Sequence, residues 1–120
     1  MVQKYALDQI ADDRLSLYVI WLPFHDTDLR ARAQQATAFL PDARARHFWS
    51  STLSLPEAYK VKLNLQKSPA WDVFLVFPIG APWADPVPAP SFLMHNLMEL
   101  PDSERLDGLR LARELAKMLP

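Results

Sequence analysis

The chain has 120 residues, half of them hydrophobic, and carries 13 lysine and arginine residues against 14 acidic ones, which predicts a single folded domain. The nearly balanced charge provides no global field that would hold nucleic acid or an anionic membrane. The absence of cysteine excludes disulfides and thiolate chemistry, and two glycines are too few for a glycine-rich phosphate-binding loop.

Residues 1–14 lack the features that direct a chain to secretion. They have no basic start followed by an apolar stretch and a small-residue cleavage site. No segment of the sequence approaches the roughly 20 apolar residues that a membrane span requires. We therefore expect a soluble, cytoplasmic protein without a membrane or nucleic-acid partner, in which residues 1–14 form an N-terminal arm or a short helix.

The first half of the chain predicts a β-α-β unit. The apolar run LSLYVIWL is typical of a central strand that is covered on both faces. After Pro23, either Asp26 or Thr27 can cap a helix, whose apolar positions recur at spacings of three and four as far as Leu40. A strand signal follows at residues 46–49. A helix that connects two such strands favours parallel pairing with a right-handed connection.

The second half predicts one helix and then two strands. Ser54 and Glu57 have the spacing of a capping box, which indicates a helix over residues 55–65. The apolar segment 72–77 predicts a buried strand, and segment 91–98 predicts another. Because no helix separates these two strands, we expect them to pair in the antiparallel direction.

The end of the chain predicts an amphipathic helix. Asp102 or Ser103 can serve as its N-terminal cap, and acidic residues come early while basic ones come late. The side chains expected on its buried face are Leu106, Leu109, Ala112, Leu115 and Leu119.

The resulting order, β-α-β-α-β-β-α, resembles the thioredoxin fold, in which a mixed four-stranded sheet carries helices on both faces. The resemblance also rests on Trp21 at the end of the first strand and on Pro69 shortly before the third. The segments RHFW, AWDVFLVF and PSFLMHNL are similar to a group of small, uncharacterised bacterial proteins with this fold. The resemblance implies an α/β protein in which residues 15–120 form a single thioredoxin-like domain.

The thioredoxin-like resemblance also implies what the chain has lost. Members of that superfamily place a CxxC pair at the start of the first helix, which corresponds here to residues 22–28, where no cysteine occurs. Their cis-proline before the third strand corresponds to Pro69, displaced by a residue or two because Trp71 and Asp72 intervene. The proline-rich segment 77–90 replaces the tight hairpin that is usual between strands three and four. A redox-inactive scaffold is therefore expected.

Two of the three histidines, His25 and His95, permit two interpretations each. His25 and Asp26 lie where thioredoxin-like enzymes hold their nucleophile, so they are candidates for acid-base catalysis or ligand binding, or they belong to a helix cap with a solvated imidazole. His95 lies on an apolar strand face, where it is either a core residue with a hydrogen bond or part of a binding site. His47 is expected at the surface. No spacing of metal ligands appears, so we expect neither a metal nor a cofactor.

Three tryptophans suggest a contact surface. Trp21, Trp71 and Trp83 flank the first and third strands and the proline-rich loop, although the first two can equally fill the core. The favoured hypothesis is a cysteine-free module that binds a protein partner, or forms a homodimer, through apolar surface near that loop. Trp21, Pro69, Trp71, Trp83 and His95 are its candidate binding residues. The alternative is an enzyme, or a protein that binds a metal or a small ligand, which uses His25 and Asp26 at the degenerate active-site position.

Overall fold

The computed structural model describes residues 2–23, 30–67 and 69–119. In chain order its helices and strands are α1 (Val2–Tyr5), β1 (Leu17–Trp21), α2 (Arg30–Ala36), β2 (Ala45–Trp49), α3 (Ser54–Lys62), β3 (Val73–Val76), β4 (Phe92–His95) and α4 (Gly108–Met118). Short 3-10 turns occur at Leu7–Gln9, Thr37–Phe39 and Asp102–Glu104. No helix among the described residues has the length and apolar character needed to cross a membrane.

The chain divides into two compact units. The first consists of Met1–Leu53 with Gly108–Pro120, and the second of Ser54–Asp107. In the first unit β1 and β2 pair in parallel, from Leu17 opposite Ala45 to Trp21 opposite Trp49, as the intervening helix predicted. The buried hydrophobic residues of this unit are Ala6, Leu7, Ile10, Ala33 and Leu111.

A hydrogen-bond network around Arg44 fastens the N-terminal segment to the start of β2. The Arg44 guanidinium donates to both carboxylate oxygens of Asp42, at 2.8 and 2.7 Å, and to the carbonyl oxygens of Leu7 and Ile10. Gln3 accepts the Asp42 N–H at 3.1 Å. These hydrogen bonds from Arg44 hold the pKa of the Asp42 carboxyl well below its usual range. Arg44 therefore connects parts of the chain that are more than 30 residues apart.

The second unit contains α3 and the hairpin of β3 and β4. These strands pair in the antiparallel direction, from Val73 opposite His95 to Val76 opposite Phe92, which confirms the predicted orientation. Asp72 begins the hairpin with a positive φ of 52°, a conformation that aspartate tolerates better than most residues. The core of the unit is a cluster of buried residues formed by Tyr59, Leu65, Ala70 and Leu97.

The predicted four-stranded sheet is wrong. The element order along the chain is the expected one, but the strands form two separate two-stranded sheets, one parallel and one antiparallel, and not a mixed sheet with helices on both faces. β1 was expected to be central and covered, yet Tyr18 is 60% exposed. At the edge of β4, the Leu106 N–H donates to the His95 carbonyl oxygen at 2.8 Å, so non-strand backbone occupies that position. An apolar run predicts a strand without specifying its neighbours.

The start of α4 also differs from the prediction. The helix begins at Gly108 because the segment before it is organised by other contacts: the Asp102 carboxylate accepts from the Arg105 guanidinium at 2.6 Å, and Arg105 has extended backbone angles. The shorter helix buries Gly108 and Leu111, while Leu109, expected on the buried face, is 55% exposed. Asp102 therefore pairs with a side chain instead of capping α4.

Candidate functional site

The proline-rich loop after β3 is held against α3 by an aromatic cluster. The Trp83 ring packs edge-on against Tyr59 and Phe77, with ring centroids 6.2 and 5.3 Å apart and interplanar angles of 69° and 60°. Tyr59 is buried, and its hydroxyl donates to the Pro88 carbonyl oxygen at 3.1 Å. Burial raises the pKa of the Tyr59 phenol. The loop is therefore fixed at both Trp83 and Pro88.

The same loop presents apolar side chains to solvent. The Ala81 N–H donates to the Pro78 carbonyl oxygen at 3.2 Å, which closes a turn with Gly80 at a φ of 76°, where glycine is favoured. Ile79, at the tip of this turn, is 94% exposed, and Trp83 is 59% exposed. We call the exposed residues Pro78, Ile79, Pro82 and Trp83 the Trp83 surface.

A groove lies beside the Trp83 surface, between α3 and the next residues of the loop. It is open to solvent and has a volume of about 450 Å³. Its lining residues are Ala58, Val61, Lys62, Asp85, Pro86 and Val87. This lining is mainly apolar with one charge of each sign, and it contains no histidine, serine or threonine. Such a lining suits a peptide side chain better than a chemical reaction.

Trp71 and Pro69 precede β3 in the second unit. Trp71 is 40% exposed, and it follows the buried Ala70, whose N–H donates to the Pro56 carbonyl oxygen at 3.0 Å. Pro69 is half-buried. Its peptide bond to residue 68 lies outside the described residues, so the predicted cis isomer stays a prediction. The cis bond that is described precedes Pro86.

His95 is a fully buried residue at the end of β4. Its Nδ1 accepts the Leu97 N–H at 2.9 Å, and its Nε2 lies 2.8 Å from the Pro101 carbonyl oxygen. Since a carbonyl oxygen can only accept, Nε2 is the donor of that hydrogen bond. Both ring nitrogens are therefore engaged by backbone groups, which favours the interpretation of His95 as a core residue. The structure adds a second hydrogen bond to the single one expected.

Trp21 lies in the first unit, on β1, and contacts another histidine. Its indole N–H donates to His47 Nδ1 at 3.2 Å, and the two rings are nearly parallel, with 11° between their planes. His47 Nε2 lies 3.1 Å from the Leu40 carbonyl oxygen. The sequence predicted His47 at the surface, but the side chain is half-buried. The pair ties β1 to β2 through side chains as well as through the main chain.

The other face of this sheet carries an aromatic pair that the sequence analysis missed. Tyr18 and Phe48 stack with ring centroids 6.2 Å apart and 22° between their planes, and both are exposed. The register of the parallel strands places them on the same face as Ile20 and Arg46. Each strand contributes one aromatic residue to this face, Tyr18 from β1 and Phe48 from β2. The apolar run of β1 predicts coverage on both faces, which conceals such an exposed pair.

The candidate catalytic residues His25 and Asp26 lie outside the described residues, so their roles stay predictions. Within residues 2–23, 30–67 and 69–119, no group of three histidine or acidic residues is placed to hold a metal ion. Comparison of the chain with protein-family models, curated proteins and solved structures found no match. The superfamily resemblance therefore stays a hypothesis, and any function must be argued from the side chains themselves.

Proposed function

We propose that this chain acts as a binding module without thiol chemistry, which recognises a protein partner through the Trp83 surface. The observation that carries the proposal is the state of Trp83, which is packed against two aromatic rings yet more than half exposed. Tryptophan is enriched among the residues that dominate the energy of protein interfaces. An exposed indole that is already held in place fits such an anchoring role.

Preorganisation of the loop supports this proposal. A partner that orders a flexible loop loses binding free energy to the entropy of that ordering, about 0.5–1.5 kcal/mol for each immobilised side chain. Here the edge contacts of Trp83 and the hydrogen bond from Tyr59 to Pro88 fix the loop in the free protein. More of the contact energy is then available for affinity.

The composition of the surface also favours a protein partner. The other exposed residues of the Trp83 surface, Pro78, Ile79 and Pro82, are apolar and carry no charge. Interface cores are depleted in charge and enriched in aromatic residues, whereas a nucleic-acid surface would need lysine and arginine. The adjoining groove adds Lys62 and Asp85 at its rim, which can orient a partner through polar contacts.

Site-specific photocrosslinking in the cells that make the protein tests this proposal. A photoreactive amino acid replaces Ile79, whose side chain is almost entirely exposed, and crosslinked products are identified by mass. We expect one discrete heterologous product. The substitution Trp83→Ser in the same chain should reduce its yield at least tenfold, because it removes the anchor while leaving the crosslinker in place.

The matched control places the same photoreactive residue at Met98, which is equally exposed but lies outside the loop. Binding through the Trp83 surface predicts no corresponding product from this position. Equal products from Ile79 and Met98, or a product at Ile79 that is unaffected by Trp83→Ser, would contradict the proposal. Circular dichroism of the Trp83→Ser chain checks that it is folded.

A further inference from the structure

The outer edge of β1 has main-chain groups that β2 does not use. The Leu17 N–H donates to the Arg44 carbonyl oxygen at 3.1 Å, and the Trp21 carbonyl oxygen accepts the Ser50 N–H at 2.9 Å. The N–H and C=O of one strand residue point to the same side, and this side alternates from one residue to the next. Both main-chain groups of Leu17 and of Trp21 therefore face β2. The N–H and C=O of Tyr18 and Ile20 consequently point away from β2.

Within the described part of the chain, this edge has none of the charges, prolines or bulges that usually prevent pairing between molecules. Edge strands of monomeric proteins tend to carry charges, proline or a bulge, or are covered by another segment. β1 has the sequence LYVIW, with no charge and no proline, and no bulge interrupts its register with β2. The edge of β4 differs, because Leu106 donates a hydrogen bond there. Tyr18, at the β1 edge, is 60% exposed.

We propose that the β1 edge binds a second copy of this chain, as an antiparallel pair around a two-fold axis at Val19. The main-chain N–H and C=O of Tyr18 then form two hydrogen bonds with those of Ile20 in the second copy. By symmetry, the N–H and C=O of Ile20 form two more with those of Tyr18 in the second copy. One register thus satisfies all four outward residues of the two strands through four main-chain hydrogen bonds. The product is a four-stranded sheet in the order β2, β1, β1, β2.

The side chains are compatible with this symmetric pairing. Tyr18 lies directly across from Ile20 of the second copy, and an aromatic residue opposite a β-branched one is a favourable cross-strand pair. Phe48, which stacks on Tyr18, extends the apolar face to six side chains over the two copies. The exposed Arg46 lies on the outer strand, so its backbone is about 14 Å from that of its counterpart, beyond the Debye length at physiological salt. No like charges oppose one another across the pair.

The absence of cysteine from the chain allows a direct test of the register. Two residues that share a two-fold position in a non-hydrogen-bonded antiparallel pair have Cα atoms about 4.5 Å apart, within the range of a disulfide. We therefore expect Val19→Cys to form a covalent dimer under mild oxidation, at least tenfold faster than Leu17→Cys. Leu17 is on the same strand face but would oppose Trp21 of the second copy, so its cysteines remain apart.

Light scattering over a range of concentrations provides the second measurement. We expect the unmodified chain to be a dimer and Ile20→Lys to weaken its association at least tenfold. Phe48→Lys places the same charge on the same sheet face, but on the outer strand β2, so it should weaken association less. A chain that is monomeric throughout, or equal crosslinking of Val19→Cys and Leu17→Cys, would overturn the proposal. Trp83→Ser should leave the dimer intact, so this result is independent of the partner-binding proposal.

Discussion

The two hydrogen bonds of His95 allow a sharp prediction about stability. His95→Phe keeps a ring of similar shape in the buried position but leaves the Leu97 N–H without its acceptor. It also removes one of two donors to the Pro101 carbonyl oxygen, which still accepts the Glu104 N–H at 3.0 Å. A buried polar group that loses its partner costs about 1–3 kcal/mol. Because the Leu97 N–H is the group left unpaired, we expect the free energy of unfolding to fall by about 2 kcal/mol.

Two further variants separate the contributions of the ring nitrogens. His95→Asn places its side-chain oxygen where Nδ1 lies, so it can still accept the Leu97 N–H, whereas His95→Gln places its amide nitrogen where Nε2 lies and can donate to Pro101. Each should retain one bond and lose the other, although both also lose packing because the replaced ring is larger. The loss of stability should therefore be smaller for each of them than for His95→Phe.

Urea denaturation followed by circular dichroism measures these differences. The slope of the free energy of unfolding against urea concentration should be the same in all variants, which checks that they expose the same surface on unfolding. The reasoning fails if His95→Phe unfolds at the same urea concentration as the unmodified chain. It also fails if Asn and Gln are both worse than Phe, because packing rather than hydrogen bonding would then dominate.

Three other substitutions test the fold. Asp42→Asn should cost about 2 kcal/mol at pH 7, because the lowered pKa of Asp42 makes its ionised form a source of stability that is present above about pH 4 and lost as the pH falls below that value. In urea titrations, the Asp42→Asn chain should lose less stability between pH 7 and pH 3 than the unmodified chain does. Asp12→Asn, which alters a more exposed ion pair, should have the weaker effect at pH 7. Tyr59→Phe should cost about 1 kcal/mol by thermal unfolding, since it removes the bond to the loop, and an unchanged midpoint would contradict that assignment. Leu111→Ala should cost about 3 kcal/mol in urea and the exposed Leu109→Ala less than about 0.5, whereas equal effects would show that the buried face of α4 is misassigned.

The local elements could be predicted because their signals lie in neighbouring residues. The apolar runs around Val19 and Leu75 contain the β-branched and aromatic side chains that favour strands, and both segments are strands. The helix between β1 and β2 indicated parallel pairing, and the lack of a helix between β3 and β4 indicated antiparallel pairing. Both orientations depend on connection length, which can be read directly from the chain.

The start of α4 shows where local signals fail. Asp102 has the composition of a helix cap, but a guanidinium three residues later competes for its carboxylate. Arg105 also donates to the Leu97 carbonyl oxygen at 3.3 Å, and the adjacent Leu106 N–H bonds to β4. These contacts hold the segment in an extended form, so the helix begins only at Gly108. Capping strength in the sequence does not reveal such a competitor.

The candidate surface was predictable only in part. Trp83 beside several prolines indicated a contact surface, and the structure leaves that side chain largely exposed. The two rings that support it, Tyr59 in α3 and Phe77 directly after β3, carry no sequence signal that would connect them to Trp83. The stacked Tyr18 and Phe48 were likewise concealed by the apolar character of β1.

Composition and periodicity were thus sufficient to exclude thiol chemistry and to predict the strands and the orientation of each pair. They could not decide that the strands form two separate sheets, that β1 keeps an exposed face, or that His95 is enclosed with both nitrogens engaged. The physical reason is range. Helix and strand signals arise among residues a few positions apart, whereas sheet neighbours, burial and ring contacts depend on residues that only the folded chain brings together.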